Sequence, residues 1–304
     1  MRLRNVLRYV SRCIFRYPHG YLNGFGSFCS ATQSEATSST ISQEKRTNPA
    51  LTRAENDYVA ELLAGLDAWP AYYAQMGAAN SAGPGAADLS APEPVDAAAL
   101  RTRIEAGEWV VDLRTRTAFA AGFVPGTLNF GIDGQIATYL GWVIPWGTPV
   151  SLLGETPGQV AEAQRELVRI GIARPAAAAT GSPLDWTDRP LQTLDRSSFA
   201  DLAQVRHHRP VTILDVRRVG EWDESHIDGA MSIPLHELLN RIAEVPAGEV
   251  WVHCAAGYRA SIATSVLAAQ GVRTVAVDDS YAEQAAASGL SLVTGSGQLV
   301  AAGA

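Results

Sequence analysis

Short apolar runs alternate with amphipathic stretches along the latter part of the chain. The apolar runs predict strands over 211–216, 250–253 and 274–277, and the amphipathic stretches predict helices over 235–241, 260–270 and 281–288. This alternation is typical of βαβ units, which form a parallel sheet with helices on both faces. In such sheets the functional loops lie at the carboxyl ends of the strands.

The same pattern of elements occurs twice. The tetrapeptide Val-Asp-Leu-Arg at 111–114 corresponds to Leu-Asp-Val-Arg at 214–217, which lies 103 positions later. Further on, an offset of 100 positions aligns the ends of the corresponding helices. Self-similarity over this length indicates a duplicated unit. We therefore predict two α/β domains, 93–190 and 191–296, which we call the first half and the second half.

The residues before the first half differ in composition. Residues 31–50 are rich in Ser and Thr without periodicity, so they are predicted to be extended or disordered. A helical pattern then begins at Thr52, where Thr52 and Glu55 form a predicted capping box. The Gly-, Ala- and Pro-rich stretch 80–94 is predicted to be a linker. The whole region 31–92 is expected to be poorly ordered.

Residues 1–30 are basic and amphipathic. No acidic residue precedes Glu35, and arginines recur at helical spacing at Arg4, Arg8 and Arg12. An Arg- and Ser-rich start without acidic residues is typical of an organellar transit peptide. A surface helix and an upstream reading frame foreign to the ancestral protein are the alternatives.

Composition narrows the classes of partner. The formal charge is −7 and the pI is near 5.4, which disfavours nucleic acid as a partner. No apolar run reaches the roughly 18–20 residues that cross a bilayer, so no membrane partner is expected. The three cysteines, Cys13, Cys29 and Cys254, are too widely spaced for a disulfide framework. A reducing cytoplasm is therefore the predicted location.

The segment between the strand 250–253 and the following helix carries the candidate chemistry. It consists of Cys254, Ala255, Ala256, Gly257, Tyr258 and Arg259. The first N–H groups of a helix have no partners within it, and with the helix dipole they favour a negative charge. Such a setting favours the cysteine thiolate, which is the nucleophilic form. We predict that Cys254 is a nucleophile, that Gly257 lets the backbone curl around the sulfur, and that Arg259 binds an oxyanion.

Structural alternatives exist for two residues of this segment. A free cysteine is more often a small buried hydrophobic residue than a nucleophile, and this alternative applies to Cys254. His253 points to the opposite face of the strand from Cys254 because side chains alternate along a strand. We interpret His253 as a core histidine.

The second half resembles a rhodanese domain. The matching residues form the motifs Asp-x-Arg, Glu-Trp, His-Ile-x-Gly-Ala and C-x-x-G-x-R, and they are Asp215, Arg217, Glu221, Trp222, His226, Ile227, Gly229, Ala230, Cys254, Gly257 and Arg259. The resemblance implies transfer of a sulfane sulfur through a persulfide on Cys254, with the loop residues 255–259 binding the substrate. Asp215 and Arg217 are further candidates for substrate binding, with a structural ion pair as the alternative. The sequence departs from the family at Asp278 and Asp279, where a Gly pair is usual.

Loop size separates sulfur chemistry from phosphate chemistry. Cysteine phosphatases hold an arginine six positions after the cysteine, whereas Arg259 is five positions after Cys254. The smaller loop fits a persulfide or a sulfonate-like donor better than a phosphate ester, so a phosphatase is the less favoured enzyme.

The corresponding loop of the first half lacks these groups. Residues 154–159 read Gly-Glu-Thr-Pro-Gly-Gln, without a thiol or a closing arginine, and Glu155 would repel an anion. The first half is therefore predicted to be a degenerate, inactive rhodanese-like domain that packs against the second half or shapes its substrate site.

Residues 17–85 resemble the tail of metallo-β-lactamase-fold hydrolases that are fused to tandem rhodanese domains. The resemblance rests on Gly-Phe-Gly-Ser-Phe-Cys at 24–29 and Lys-Arg-Thr-Asn-Pro-Ala-Leu at 45–51. The upstream domain of such fusions binds metal through an H-x-H-x-D-H motif, which this sequence does not contain. We expect the hydrolase domain to be missing, with no metal or organic cofactor needed.

The resemblance to a rhodanese domain implies a sulfurtransferase with a small anionic sulfur donor and a thiol or cyanide as acceptor. The alternative is a non-catalytic persulfide carrier or interaction module that serves a separate metallo-hydrolase or persulfide dioxygenase. Turnover with small donors, set against stoichiometric loading only, distinguishes these two functions.

Overall fold

The computed structural model describes residues 40–64, 68–83 and 85–300. The chain divides into two compact units, the first ending at Ala68 and the second beginning at Trp69. Both halves belong to the second unit. The predictions for residues 1–39, which include the basic segment 1–30, lie outside the described residues.

The described part of the first unit is helical. Its helices are α1 (Ile41–Thr47), α2 (Pro49–Thr52) and α3 (Glu55–Ala64). The prediction of an extended or disordered chain is therefore wrong from residue 41 onward. Local capping supports both helices: the Thr40 hydroxyl accepts a hydrogen bond from Gln43 N–H at 3.2 Å at the start of α1, and the Asn48 side chain accepts one from Ala50 N–H at 3.0 Å at the start of α2. Thr52 ends α2, and its hydroxyl donates to the carbonyl of Asn48, so the predicted capping box with Glu55 does not form.

The second unit begins with helix α4 (Tyr73–Ala82), which includes the start of the predicted linker 80–94. The first half then contains β1 (Glu93–Pro94), α5 (Ala97–Glu105), β2 (Trp109–Asp112), α6 (Arg116–Ala121), β3 (Leu128–Asn129), α7 (Ile136–Val143), β4 (Val150–Gly154), α8 (Pro157–Val168) and β5 (Ala177–Thr180). Its strands form one parallel sheet in the order β1-β5-β4-β2-β3. The linker prediction is thus wrong at both ends, because β1 already belongs to this sheet.

The second half forms a second parallel sheet in the order β6-β11-β10-β7-β9. Its elements are β6 (Asp195–Ser197), α9 (Phe199–His208), β7 (Thr212–Asp215), α10 (Val219–Glu224), β8 (His226–Ile227), β9 (Met231–Ser232), α11 (Leu238–Arg241), β10 (Glu249–His253), α12 (Tyr258–Ala269), β11 (Arg273–Val277), α13 (Tyr281–Gln284) and β12 (Leu292–Val293). Strands β8 and β12 form a separate antiparallel pair. The predicted α/β architecture, with parallel sheets flanked by helices, is confirmed.

The predicted elements of the second half agree with the structure more closely for strands than for helices. The three predicted strands correspond to β7, β10 and β11 to within one residue at each end. The predicted helix 235–241 begins as a 3-10 turn, Leu235–Glu237, before it continues as α11. The predicted helix 281–288 ends at Gln284, and α9 was not predicted. Ser198 starts α9 through a reciprocal capping box with Asp201.

Helix α12 joins the two halves. Every residue from Ala260 to Leu267 is buried, which is unusual for a helix that packs on one sheet only. It contacts β10 and β11 of its own sheet and also β3 of the first half. A polar seam fixes this contact, since the Ser261 hydroxyl donates to the Asn129 side chain at 2.7 Å. The loop that precedes α12 therefore lies where the two halves meet.

Candidate active site

Cys254 directly follows β10, the strand that lies between β7 and β11 in the second sheet. This strand is apolar because it is covered on both faces, as expected for the interior of a parallel sheet. Cys254 itself is 2% exposed and packs in the same apolar cluster as Val252 and Ala260. The carboxyl end of a central strand is the position at which parallel sheets bear their functional groups, as predicted.

The backbone after Cys254 forms a cradle of N–H groups. Gly257 precedes α12 with φ of +88°, a conformation that favours glycine. Within the described part of the chain, the N–H groups of Ala255, Ala256 and Gly257 have no hydrogen-bond acceptor. The carbonyl of Ala255 accepts a hydrogen bond from the N–H of Tyr281 at 2.9 Å, which fixes the loop from outside. The free N–H groups and the start of α12 are suited to a bound anion.

Arg259 is held by Glu221 in a two-point ion pair. Its Nη1 donates to Oε2 of Glu221 at 2.6 Å and its Nη2 donates to Oε1 at 2.7 Å. Glu221 belongs to α10, and the sequence analysis named it only as part of a family motif. This pairing holds the guanidinium in one orientation and balances its charge. Anion binding by Arg259 stays a prediction.

The ion pair lowers the pKa of Glu221 and raises the pKa of Arg259. Burial raises the pKa of Glu221, but the hydrogen bonds and the charge of Arg259 outweigh burial and lower the pKa to about 2. Burial lowers the pKa of Arg259, and the hydrogen bonds that Arg259 donates to Glu221, together with nearby negative charge, more than offset this, so that the pKa is raised. Both groups are therefore ionised across the physiological pH range.

Asp215 and Arg217 form a buried ion pair behind the loop. Nη2 of Arg217 donates to Oδ2 of Asp215 at 2.7 Å and to the carbonyl of Ser225 at 2.7 Å. The guanidinium also lies over the Tyr281 ring, with its carbon 3.8 Å from the ring centroid. The N–H of Tyr281 donates to the carbonyl of Ala255, so the Asp215–Arg217 pair supports the loop indirectly, through Tyr281. These contacts favour the structural ion pair, and direct contact with substrate stays a prediction.

His253 is a core residue, as predicted. It is fully buried, its ring stacks on Tyr281 at 5.5 Å between centroids, and it meets Phe199 edge to face. Burial lowers its pKa despite the nearby charge of Asp215. Among the described residues neither ring nitrogen has a hydrogen-bond partner, so His253 is a neutral packing group.

The first half contributes residues to the rim of this loop. The Tyr258 hydroxyl donates to the carbonyl of Gly131 at 2.7 Å, and the Tyr258 ring lies 5.5 Å from that of Tyr139. Arg116, at the start of α6, donates through Nε to Oδ1 of Asp278 at 2.8 Å. These contacts join residues more than a hundred positions apart. The departure of Asp278 from the usual Gly was the one signal in the sequence that pointed to this rim.

The equivalent loop of the first half has side-chain acceptors for two of its N–H groups. The N–H of Glu155 donates to the side-chain oxygen of Gln159 at 2.7 Å, and the Thr156 hydroxyl accepts from Gln159 N–H. The helix start is therefore already capped by its own side chains. This arrangement agrees with the predicted absence of an anion site there.

Metal-binding clusters and membrane-spanning helices are both absent from the part of the chain that the structure describes. There, no group of three or more His, Cys, Asp or Glu side chains is placed to hold a metal ion. None of the helices within the described ranges combines the length and the apolar character that a membrane span requires.

Comparison with known proteins supports the predicted resemblance. Residues 198–286 match the Rhodanese-like domain family. A Bacillus subtilis protein described as a sulfur carrier, YrkF, is 35% identical over 73 residues, which are 24% of this chain and 40% of that protein. The chain spans less than half the length of the curated relatives that it matches. The resemblance of the second half to a rhodanese domain is confirmed for the matched residues.

Solved structures give matches over longer parts of the chain. A thiosulfate sulfurtransferase from Pseudomonas aeruginosa matches at 19% identity with a TM-score of 0.30, over 70% of this chain and 42% of that chain. A metallo-beta-lactamase from Staphylococcus aureus matches at 24% identity with a TM-score of 0.38, over 49% of this chain and 42% of that chain. The tandem arrangement and the relation to a metallo-hydrolase stay predictions.

Proposed function

We propose that the protein is a sulfurtransferase that carries a sulfane sulfur as a persulfide on Cys254. The observation that carries this proposal is that Cys254 lies at the carboxyl end of a central strand and is followed directly by a loop whose N–H groups at Ala255, Ala256 and Gly257 have no acceptor among the described residues. A persulfide is an anion at the end of a short side chain, and such a cradle stabilises it. The match of residues 198–286 to the Rhodanese-like domain supports the same class of reaction.

In the first step the Cys254 thiolate attacks the outer sulfur of an anionic donor such as thiosulfate. A sulfur–sulfur bond forms to Cys254, and the bond between the two sulfurs of thiosulfate breaks. Sulfite leaves with the electron pair of that bond, and the cysteine becomes a persulfide anion. The loop N–H groups of Ala255, Ala256 and Gly257 would hold the negative charge through this exchange.

In the second step a thiophilic acceptor removes the outer sulfur. Cyanide or a thiolate attacks this sulfur, and the Cys254 thiolate leaves with the electrons of the sulfur–sulfur bond. The products are thiocyanate or a new persulfide. The two steps restore the enzyme without an external oxidant or reductant, so the proposal requires no metal or organic cofactor.

In this proposal the first half is a degenerate copy of the same unit. Its sheet has the same strand order as that of the second half, which supports a common origin. The Tyr258 contact with Gly131 gives the first half a role in positioning the loop. The origin of residues 17–85 in a hydrolase tail is proposed on sequence alone, and part of that segment lies outside the described residues.

Intact-mass analysis tests the proposal. The protein is incubated with thiosulfate, 3-mercaptopyruvate or glutathione persulfide, and the mass of the whole chain is measured before and after cyanide is added. We expect one sulfur atom, about 32 Da, to be gained and then removed, and we expect the Cys254→Ser variant to gain none. Serine is nearly isosteric, so the fold should persist. Cys13→Ser and Cys29→Ser serve as matched controls that should load normally. An adduct on Cys254→Ser, or its loss in a control, would reject the assignment.

A persulfide carrier is the second candidate function. It is favoured by the burial of Cys254, which is 2% exposed and offers little access to a bulky acceptor. In this alternative a separate metallo-hydrolase or persulfide dioxygenase would be the partner. A carrier should load once and release about one equivalent of thiocyanate per chain with thiosulfate and cyanide, whereas an enzyme should produce many equivalents per chain.

A further inference from the structure

Three charged side chains, contributed by both halves, form a cluster against the loop 254–259. Asp278 is 7% exposed, and it accepts a hydrogen bond from Nε of Arg116 at 2.8 Å and one from Nε of Arg196 at 3.0 Å. Arg116 belongs to the first half, whereas Arg196 belongs to β6 and Asp278 directly follows β11. We call these three residues the bridging triad.

The bridging triad is adjacent to the glycine that shapes the loop. A Cβ atom placed on Gly257 would lie 1.9 Å from Oδ1 of Asp278 and 3.1 Å from Nε of Arg116. The same residues line a small cavity together with Ser261 and Thr264 of α12. Arg116 is also within electrostatic range of the Cys254 thiol, although Asp278 and burial affect its pKa more strongly.

Most of the charged side chains near Cys254 are paired with a group of opposite charge. Arg259 is neutralised by Glu221, Arg217 is neutralised by Asp215, and His253 is neutral. The bridging triad combines two guanidinium groups with one carboxylate, so it keeps one positive charge. Asp133 also acts on Arg116, but this carboxylate is exposed to solvent, which screens it.

Arg116 is the member of the triad best placed to use that charge. Its side chain is 33% exposed, so part of the guanidinium reaches solvent while Nε stays fixed by Asp278. A guanidinium fixed through one edge keeps its other donors for a second anion.

We propose that Arg116, supplied by the half without a cysteine, is a specificity-determining residue that selects substrates with an anionic group beside the reacting atom. The chemical class is a small sulfonate or carboxylate, one or two bonds from the transferable sulfur. This inference rests on the proposed sulfur transfer for its biological meaning, and its charge selectivity is measurable without any transfer.

Alkylation of Cys254 by a matched pair of reagents tests the proposal. Iodoacetate and iodoacetamide form the same thioether bond and expel the same iodide, but only iodoacetate is an anion. Both reagents need the same thiolate, so the ratio of their rates cancels changes in thiolate population and access. Rates are measured at Cys254 by peptide mapping in the full chain.

Arg116→Gln should lower the ratio of the iodoacetate rate to the iodoacetamide rate roughly three- to tenfold, as expected for loss of one partly screened charge at close range. Arg116→Lys should restore most of the ratio, and added salt should lower it in the wild type but not in Arg116→Gln. Asp278→Asn should raise the ratio, because it removes the only buried carboxylate of the triad. Arg101→Gln, which removes an exposed arginine of the first half paired with Asp188, should leave the ratio unchanged.

A purely structural ion pair gives a different pattern. Arg116→Gln and Asp278→Asn would then shift the ratio in the same direction or not at all, and either result overturns the proposal. If Arg116→Gln does not fold, the rise expected for Asp278→Asn decides the question alone. Failure of Cys254 to form a persulfide, with the ratio behaving as expected, would reject the proposed function and leave the charge selectivity in place.

Discussion

The two halves share a strand order but differ in the loop between the central strand and the following helix. Two residues lie between β4 and α8. The side chains of Thr156 and Gln159 accept hydrogen bonds from the N–H groups of Gln159 and Glu155. Between β10 and α12 four residues intervene, and the N–H groups of Ala255 and Gly257 are without acceptors among the described residues. The two loops have the same length in the sequence, because Gly154 aligns with Cys254 at a constant offset of 100, so they differ in where the strand ends and the helix starts, in the thiol and in the side-chain cap.

The ion pair behind each loop, in contrast, is the same in both halves. Arg114 pairs with Asp112 and donates to the carbonyl of Gly122, eight positions later. Arg217 pairs with Asp215 and donates to a carbonyl at the same spacing. A feature that persists in the half without a cysteine has a role in the fold. This is the strongest reason to regard Asp215 and Arg217 as structural residues.

The largest effect should come from filling the space that Gly257 leaves open. The Cβ atom of Gly257→Ala would collide with Asp278, and its φ of +88° is unfavourable for alanine. We expect persulfide formation to slow by about 100-fold, the order of loss that a misplaced catalytic group causes. The measurement is the rate of the 32 Da gain with thiosulfate.

Gly271→Ala is the matched control for this substitution. Gly271 has a similar φ of +79° but no atom within 4 Å of its missing Cβ, so only backbone strain is added. This variant should lose about 1–2 kcal/mol of stability and transfer sulfur normally. If both variants lost sulfur transfer equally, the loss would come from backbone strain, and the collision between residue 257 and Asp278 would have no specific effect.

A smaller effect is expected from Arg259. Arg259→Ala should lower kcat/KM for the donor roughly ten- to a hundredfold, the contribution of a charge-assisted hydrogen bond of about 1.5–3 kcal/mol. Arg259→Lys should lose less, because it keeps the charge but not the planar fork that Glu221 binds. Steady-state thiocyanate production gives both values.

The phosphatase alternative is tested with the same proteins. Hydrolysis of an aryl phosphate by the wild type should be negligible under conditions where thiocyanate forms readily. Normal transfer by Arg259→Ala, or dominant phosphate hydrolysis, would show that the loop binds a different anion from the one proposed.

The sequence predicted the parts of this site that are local and missed the parts that are not. The strand before Cys254 and the loop through Arg259 follow from apolar periodicity and glycine placement, both of which are visible within a dozen residues. The pairing of Arg116 with Asp278 spans 162 positions, and no periodic pattern states which distant faces meet. The helical α1 was missed for another reason, because the Ser- and Thr-rich residues before it dominate the composition of the segment 31–50 in which it lies.

The Glu221–Arg259 pair should make stability depend on acid pH. The pKa of Glu221 is about 2 in the folded protein, below its usual value of 4.5. A lowered pKa contributes stability above pH 4.5, and this contribution is lost as the pH falls toward 2. Because the side chain is partly exposed, solvent screens the pair and the stability it contributes is smaller than the full pKa shift implies. Urea unfolding at pH 7, 4 and 2.5 should show the wild type approaching Glu221→Gln in stability as the pH falls, and a constant difference would contradict the pairing.

The smallest effect should come from placing a thiol in the loop of the first half. Gly154 aligns with Cys254, and a Cβ at Gly154 would meet its nearest neighbour, Val160, at 3.2 Å, which the side chain can accommodate. In a Cys254→Ser background, Gly154→Cys should still gain no 32 Da adduct from thiosulfate. The thiol would face a helix start that Thr156 has already capped and the carboxylate of Glu155, both of which disfavour an anion.

The Glu155→Ala and Thr156→Ala substitutions remove these two obstacles. In that background the thiol at position 154 should load slowly if these two side chains are what prevents loading. A persulfide on Cys at position 154 in the otherwise unaltered loop would mean that the thiol is sufficient, and the contrast between the two loops would then have no catalytic meaning.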